Sequence, residues 1–537
     1  MEAGNIRFKN PSQIPLKKTI DLLATYKINK FLFYLTEDEG WRLEIDGLPE
    51  LTEIGSMRRH TSMESSSLHP SYGSGPFPDS QNNYGTGYYT KEDFIEILTY
   101  AKERHVMVIP EVNLPGHARA AIKAMEYRYE RLMSEGKPEA AEKYRLIDPD
   151  DESRYISAQS FKDNIACVCR PSLYTFYEKV IDEIIDLYKK AEAPLEYFHT
   201  GGDEVPRGPW TQSPICNELI KNSDEVNHPN QLQTYFFRKT VEILNKRDLK
   251  IAGWEEVALK HREDDLIVNE EFKDKNVIPY VWNNLWGAQD LGYKLANRGY
   301  KVVLCPVTNF YFDLAYNKDP EEPGLYWAGF VNTKNAYEFS PFDMFKTTYR
   351  DDSMYSPIDP DKEFETMERL RTDARKNILG LQSQLWGETL KGSEMLEHYL
   401  LPKLLAFSES AWAKERVWET INDPDKRNKA VRENWRKFVH DVGENELPKL
   451  DNLNGGYAYR ISPPGAIIKN DTLYANVKYP QLILRYTTDG SEPTEASAIY
   501  SKPINVSDEV IKLKSFNAKG RSSKTSTIHA NPEIIKP

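Results

Sequence analysis

Two adjacent acids, Asp203 and Glu204, follow two glycines, Gly201 and Gly202, at the end of an apolar run from Leu195 to Phe198. Paired carboxyl groups can do general acid, general base and nucleophilic work, and here a strand delivers them at its own C-terminal end. Neighbouring side chains inside a strand point to opposite faces. Both acids can therefore serve one site only where the backbone has left β geometry, which glycine permits. In isolation the same four residues read equally well as a tight turn whose Asp caps a helix. The elements around them decide between the two readings.

Seven apolar segments alternate with helical patterns from about Pro15 to Trp412: NKFLFYLTE, VMVIPEV, LEYF, KIAGWEE, VIPYVW, KVVLCPV and ILGLQSQLW. Such alternation predicts parallel strands joined by crossover helices. One of these helices, TKEDFIEILTYAKERH, carries its own start signal, with Thr90 as N-cap and Asp93 three residues on. Residues 56–89, rich in Ser, Gly, Pro and Asn, read as a long loop.

Seven strands and one missing or atypical first strand make an α/β fold of the (β/α)8 barrel type, whose active site is built at the C-terminal strand ends. Those ends are Glu37 to Trp41, Asn113 to His117, His199 to Glu204, Trp254-Glu255-Glu256, Trp282-Asn283-Asn284, Tyr311 to Asp313 and Trp386-Gly387-Glu388. Nearly every one finishes in acids, amides or aromatics, a bias that strands serving only as a core would not show. Because a closed barrel needs eight strands, the chain is expected to begin downstream of its true start, with Met1 to Phe8 either a makeshift first strand or a gap. From Asn454 the pattern changes to short alternating segments, TLYANV, LILRYTT, VIKLKSF and STIHA, separated by turn residues. The expected organisation is a catalytic domain over 1–445 and a small all-β sandwich over 455–537.

Composition narrows the function classes. A formal net charge of −12 without a basic block argues against nucleic acid and anionic membrane as partners. No apolar stretch reaches spanning length, and MEAGNIRFKN lacks a signal peptide's apolar core; a secreted or periplasmic precursor with a longer front end is the expected source. His199 and Asp203 have no third ligand at fitting spacing and there is no HExxH, so no metal and no cofactor are expected. Cys167, Cys169, Cys216 and Cys305 show no metal-ligand spacing and read as packing residues.

Carboxylates among aromatics suit a pyranose, whose C–H face packs on rings while its hydroxyls need directed partners. Trp254, Trp282, Trp386 and Trp327 are candidate walls, and Asp313 and Glu388 candidate hydroxyl partners. A retaining glycosidase ordinarily sets its acid and nucleophile about 5 Å apart on opposite sides of the scissile bond. Asp203 and Glu204, with Cα atoms about 3.8 Å apart, emerge on one side. Either a distant acid such as Glu256 or Glu388 attacks, or a 2-acetamido substrate supplies its own nucleophile.

At this point the chain resembles glycoside hydrolase family 20, the β-N-acetylhexosaminidases. The resemblance runs from about Lys18 to Trp412 through YLTEDEGWRLEI, LPELTEIGS, PEVNLPGH, HTGGDE, GWEE, FYFDLAY, GLYWAGF and LWGE, in family order, and RYTTDGSEPT onward is similar to the β-domain often appended to these enzymes. It implies exo-acting hydrolysis of terminal N-acetylhexosamine from glycans, with Glu204 as general acid and base. Asp203 would orient the acetamido group, Tyr311 would bond its carbonyl, and Trp254, Trp282 and Trp386 would wall the pocket. Asp313 and Glu388 would take sugar hydroxyls, and His117 and Glu37 would support the proton on Glu204, with His199 in the same network. Glu204 is expected to titrate above an ordinary Glu, beside ionised Asp203 and buried. The chain departs from the family pattern at Glu37, Asn113 and Tyr34, and the arginine of the family's first strand has only Arg7 as a counterpart. A two-carboxylate hydrolase of the same barrel class and a non-catalytic sugar-binding barrel are the rival readings.

Overall fold

The computed structural model describes residues 2–3, 14–59, 67–69, 84–262, 265–348, 358–507 and 510–529. Arg7 and most of the expected loop, 60–66 and 70–83, lie outside the described residues. The chain divides into two compact units, 1–393 with 410–412, and 394–409 with 413–537.

The first unit is the predicted barrel. Its strands are β1 (Glu2–Ala3), β2 (Lys30–Tyr34), β3 (Met107–Glu111), β4 (Tyr197–His199), β5 (Lys250–Trp254), β6 (Val277–Val281), β7 (Val302–Leu304) and β8, in two pieces, Ile378–Leu381 and Gln384–Leu385. Each pairs in parallel with the next, and the ring closes where β1 lies between β2 and the second piece of β8, with Glu2 opposite both Leu32 and Gln384. The vacant-looking first position is thus taken by a two-residue strand. Register sets the site: Tyr34 pairs with Glu111, Glu111 with His199, His199 with Ala252, and Trp254 with Tyr280. The strand ends therefore come level, and whatever follows each of them reaches one face.

The crossover helices form for local reasons. Lys91–Lys102 starts at a full capping box between Thr90 and Asp93, as its sequence predicts, and buries Phe94, Ile97, Leu98 and Ala101 on one stripe. Pro171–Lys190 begins with proline, which lacks only an N–H that the first turn leaves unused, and ends in Lys189 and Lys190 at the negative end of the helix dipole. The apolar segment from Ser393 forms two helices, Ser393–Leu400 and Lys403–Trp412, because Pro402 cannot donate to the preceding turn.

In the second unit the four predicted strands appear as parts of two antiparallel sheets. One holds β9 (Gly465–Lys469), β10 (Thr472–Asn476) and β13 (Ile504–Asn505); the other holds β11 (Ile483–Thr487), β12 (Ala498–Ile499), β14 (Val510–Phe516) and β15 (Ser526–His529). Leu473 from the first sheet packs with Leu484, Ile511 and Leu513 from the second, so the predicted sandwich has a shared core.

One reading of the cysteines is corrected. Cys169 and Cys216 form a disulfide across 47 residues, and Cys167 and Cys305 are buried thiols outside it. Separation along the chain hid a pair that folding brings to a Cα distance of 5.2 Å.

Candidate active site

Past β4 the chain turns through Gly201 and Gly202 at φ +67° and +97°, and Glu204 itself sits at φ +53°. This left-handed stretch turns both acids to one side. Contact also demands glycine. A Cβ on Gly201 would lie 1.8 Å from Asn113 Oδ1, and one on Gly202 would lie 2.7 Å from the Phe237 ring. Asn113 uses this closeness, since its Oδ1 accepts the Gly202 N–H at 3.0 Å while its Nδ2 donates to Asp203 Oδ1 at 2.8 Å.

His117 is the hub. Its Nε2 lies 3.4 Å from Asp203 Oδ2 and 3.3 Å from Glu204 Oε2, and its Nδ1 lies 2.9 Å from Glu37 Oε1 and 3.5 Å from Asp38 Oδ2. Burial disfavours a charged ring here, but Glu37, then Asp203 and Tyr34, outweigh it and hold the imidazolium well above the ordinary histidine range. Glu37 in turn accepts from Tyr34 Oη at 2.5 Å, and burial pushes its carboxyl up despite His117. Asp38, fully buried, accepts from the Arg119 N–H and from Asn164 Nδ2. The departures at Glu37, Asn113 and Tyr34 are therefore joined to one another in a single hydrogen-bonded set, in which Asn113 Nδ2 also reaches Tyr34 Oη at 3.1 Å.

The expectation for Glu204 is overturned in direction. Burial pushes its carboxyl up, but the His117 ring and the Gln159 amide, whose Nε2 donates to Glu204 Oε2 at 2.5 Å, together hold it below the usual glutamate range. The proton of the pair rests on His117.

A second pair lies under the first. His199, completely buried, has Nδ1 3.0 Å from Glu111 Oε1, and Trp254 Nε1 donates to the same oxygen at 3.1 Å. Burial keeps His199 neutral, with its pKa lowered to about 3. It supports the floor of the pocket through Trp254 and Glu111.

The opposite side is aromatic. Trp386 meets Tyr34, Trp254 and Tyr311 at centroid distances of 5.3, 6.0 and 6.0 Å. Trp282 and Tyr311 pack at 6.3 Å, and Trp327 stands edge-on to both. Glu255 fixes Trp282 by accepting its N–H at 2.8 Å. Asp313 is buried and near Glu388, whose carboxyl is pushed up to about 8 by burial and then by Asp313. Glu256 accepts the Glu204 N–H at 3.4 Å, and burial, then Glu255 and Asp203, raise its pKa well above the glutamate range.

Among the described residues, His117, Asp203 and Glu204 have donor atoms within 4.8 Å of one another, as do Glu37, Asp38 and His117. The third donor beside Asp203 is thus His117, contributed by another strand end, and its protonated ring supplies positive charge between the carboxylates.

Residues 7–415 match the glycosyl hydrolase family 20 catalytic domain, and residues 446–525 match the chitobiase/beta-hexosaminidase C-terminal domain. The chain belongs to glycosyl hydrolase family 20. Within or beside that family, it is 36% identical over 496 residues to a beta-hexosaminidase of Vibrio vulnificus, covering 88% of this chain and 56% of the relative. It is 34% identical over 545 residues to an N,N'-diacetylchitobiase of Vibrio harveyi, covering 94% and 59%. Among solved structures, a family 20 exo beta-N-acetylglucosaminidase from Vibrio harveyi, in complex with N-acetylglucosamine, superposes with a TM-score of 0.61 at 30% identity, covering 86% of this chain and 58% of that one. The chain spans somewhat under three fifths of the length of these relatives.

Of the residues expected from the sequence, this family 20 barrel brings together Glu37, His117, Asp203, Glu204, Trp254, Trp282, Tyr311, Trp327, Trp386, Asp313 and Glu388, whereas His199, expected in the network of His117 and Glu37, pairs with buried Glu111. The sequence reading misses Gln159, Asn164 and Glu111. Gln159 and Asn164 lie on an irregular segment between helices, where no periodicity marks them. Glu111 carries a signal that could have found it: an acid at the end of the apolar strand VMVIPEV must be paired once that strand is buried.

Proposed function

We propose that this chain is an exo-acting β-N-acetylhexosaminidase that removes terminal non-reducing N-acetylglucosamine or N-acetylgalactosamine from glycans, with retention, using the substrate's 2-acetamido group as nucleophile. The observation that carries this reading is the convergence of Asp203 and Glu204 on one nitrogen, His117 Nε2, from one strand end. Two acids so placed share a side of the sugar and do not straddle its anomeric carbon. Glu256 and Glu388, the acids that could attack from elsewhere, are raised towards the protonated form, which is a poor nucleophile.

In this reading Glu204 protonates the leaving oxygen, drawing on the proton held by His117, and later removes a proton from water. Asp203, steadied by Asn113, accepts the acetamido N–H and stabilises the positive oxazolinium. Tyr311 bonds the acetamido oxygen, Trp254, Trp282 and Trp386 enclose the ring, and Asp313 and Glu388 take hydroxyls. No cofactor or metal enters the sequence of steps. The barrel, within residues 1–445, carries the chemistry, and the β-domain over 455–537 acts as a stabilising appendage. The named relatives, a beta-hexosaminidase and an N,N'-diacetylchitobiase, support the substrate class. No described helix is long and apolar enough to cross a membrane, and the Cys169–Cys216 disulfide supports an oxidising, exported setting.

The test compares aryl β-glycosides with an acetamido or a hydroxyl group at C2. The hydroxyl sugar should be cleaved thousands-fold more slowly, on the order of the 10⁵ M effective molarity of a well-placed internal nucleophile, and a thiazoline mimic of the oxazolinium should bind far more tightly than substrate. A stoichiometric adduct on any carboxylate after treatment with a 2-fluoroglycoside, seen by mass spectrometry of the intact protein, would sink the assignment.

A further inference from the structure

A row of rings runs from the pocket outward. Tyr311 and Trp282 are 4% and 9% exposed, Trp327 is 43% exposed, and Trp286 is 67% exposed. Each touches the next: Trp327 stands 6.0 Å from Tyr311 and 6.3 Å from Trp282, edge-on, and Trp286 lies 6.2 Å from Trp327 with the two planes only 26° apart. The last two rings are therefore nearly parallel and form the exposed end of the row.

Trp286 is held in this position. Its backbone sits at φ +53°, a conformation that a residue with a large side chain avoids unless the surroundings impose it. The turn is pinned on the side before it. The Asn283 N–H donates to Glu255 Oε1 at 3.2 Å, and Asn284 Nδ2 donates to Thr308 Oγ1 at 2.7 Å. The Leu285 N–H donates to Asn283 Oδ1 at 3.0 Å, and the Leu285 side chain is buried. A tryptophan fixed in water forgoes the burial that is the main reason to have one. Exposure of this kind, continuous with a pocket, marks a binding surface.

Resting on the reading of the pocket as an N-acetylhexosaminidase site, we propose that Trp286 forms an outer subsite beyond Trp327. It takes a further sugar on the leaving-group side of a β-linked N-acetylglucosamine oligosaccharide, so that the enzyme discriminates by chain length. Trp254 is buried and bonded to Glu111, while exposure rises along the row to Trp286, so the row leads from the buried rings towards solvent, the direction a chain bound by its terminal sugar would follow. Neutral pyranose faces suit it, because the exposed surface of the row is ring carbon.

The experiment measures kcat/KM for N-acetylchitotriose, N-acetylchitobiose and the 4-nitrophenyl glycoside of N-acetylglucosamine on the protein and on its Trp286→Ala and Trp286→Phe variants. In Trp286→Ala the ratio of trisaccharide to aryl glycoside should fall roughly threefold to tenfold, the range one ring contact supplies, mainly through KM. The disaccharide should fall less, and Trp286→Phe should restore most of the ratio. The aryl glycoside is the denominator, so a folding defect cancels. Equal losses on all three substrates, or none, overturn the subsite while leaving the underlying activity standing. A parent protein that cleaves no N-acetylhexosaminide overturns the underlying reading, and the subsite with it.

Discussion

The two walls of the pocket are ordered by different forces. On the wall formed by Glu37, Asn113, His117, Asp203 and Glu204, nearly every polar atom is fixed by charge or by a hydrogen bond, and His117 alone is within 3.5 Å of four carboxylates. On the wall formed by Trp282, Tyr311, Trp327 and Trp386, ring contacts at 6.0 to 6.3 Å set the shape. The first wall determines where a proton sits. The second determines what fits. Substitutions on the first should therefore act on turnover and its pH dependence, and substitutions on the second on binding.

The largest effect expected is on the first wall. Glu204→Gln should lower turnover of a natural disaccharide by roughly 10² to 10⁴, with the smallest loss on substrates whose leaving groups need little protonation. Ligand affinity, measured by calorimetry with the product sugar, should stay near that of the parent. A fall in affinity as large as the fall in rate would erase the distinction between the walls.

Trp282→Leu tests the other side. It should raise KM by about tenfold, the worth of a ring contact together with lost burial, and lower kcat by less. Glu255 binds the backbone N–H of residue 282 and stays in place, so circular dichroism and thermal melting should show the fold retained. A drop confined to kcat would show that the aromatic wall takes part in the chemical step.

Glu388 links the walls, and it gives a signature in stability. Its folded pKa of about 8 lies above the ordinary glutamate value of 4.5, so the folded state holds a proton that the unfolded chain has released. That contribution is complete below the unfolded pKa and is lost as pH rises through the folded one. The melting temperature should therefore decline between about pH 5 and pH 8, and Glu388→Gln should flatten this part of the profile. An unaltered slope would place the titrating group elsewhere.

The smallest effect tests the correction at Glu204. Gln159 is one of the groups that hold Glu204 down, so Gln159→Ala should raise the titration of Glu204 towards the ordinary glutamate value, read from its carboxylate band in infrared difference spectra against Glu204→Gln. A downward move would mean that Gln159 steadies the protonated acid instead.

These outcomes bear on what a chain discloses before it folds. The barrel was legible because apolar strands and amphipathic helices alternate over most of its length, and the site was legible because a strand end is a place as well as a sequence. Thus Trp254, Trp282 and Trp386, far apart in the chain, could be placed around one opening. The state of Glu204 was not legible. Its neighbour Asp203 and its burial both point upward, and the groups that reverse the sign, His117 and Gln159, approach from other elements. Gln159 lies 45 residues back on a segment without periodicity. The Cys169–Cys216 bond was missed for the same reason, since spacing along the chain carries no signal for a contact made between a turn at Cys169 and the helix Pro214–Asn222 that bears Cys216.

The glycines at 201 and 202 carry a consequence for variation. They take no part in any proton transfer, yet the room around them is occupied by Asn113 and by the Phe237 ring. A random library screened for activity would find these two positions as intolerant as the acids, and a screen alone would credit them with chemistry. Any lineage that drifts at either position must first move Asn113 or the helix bearing Phe237, so the route by which such a pocket diversifies runs through its outer rings and leaves the hinge of the acid pair unchanged.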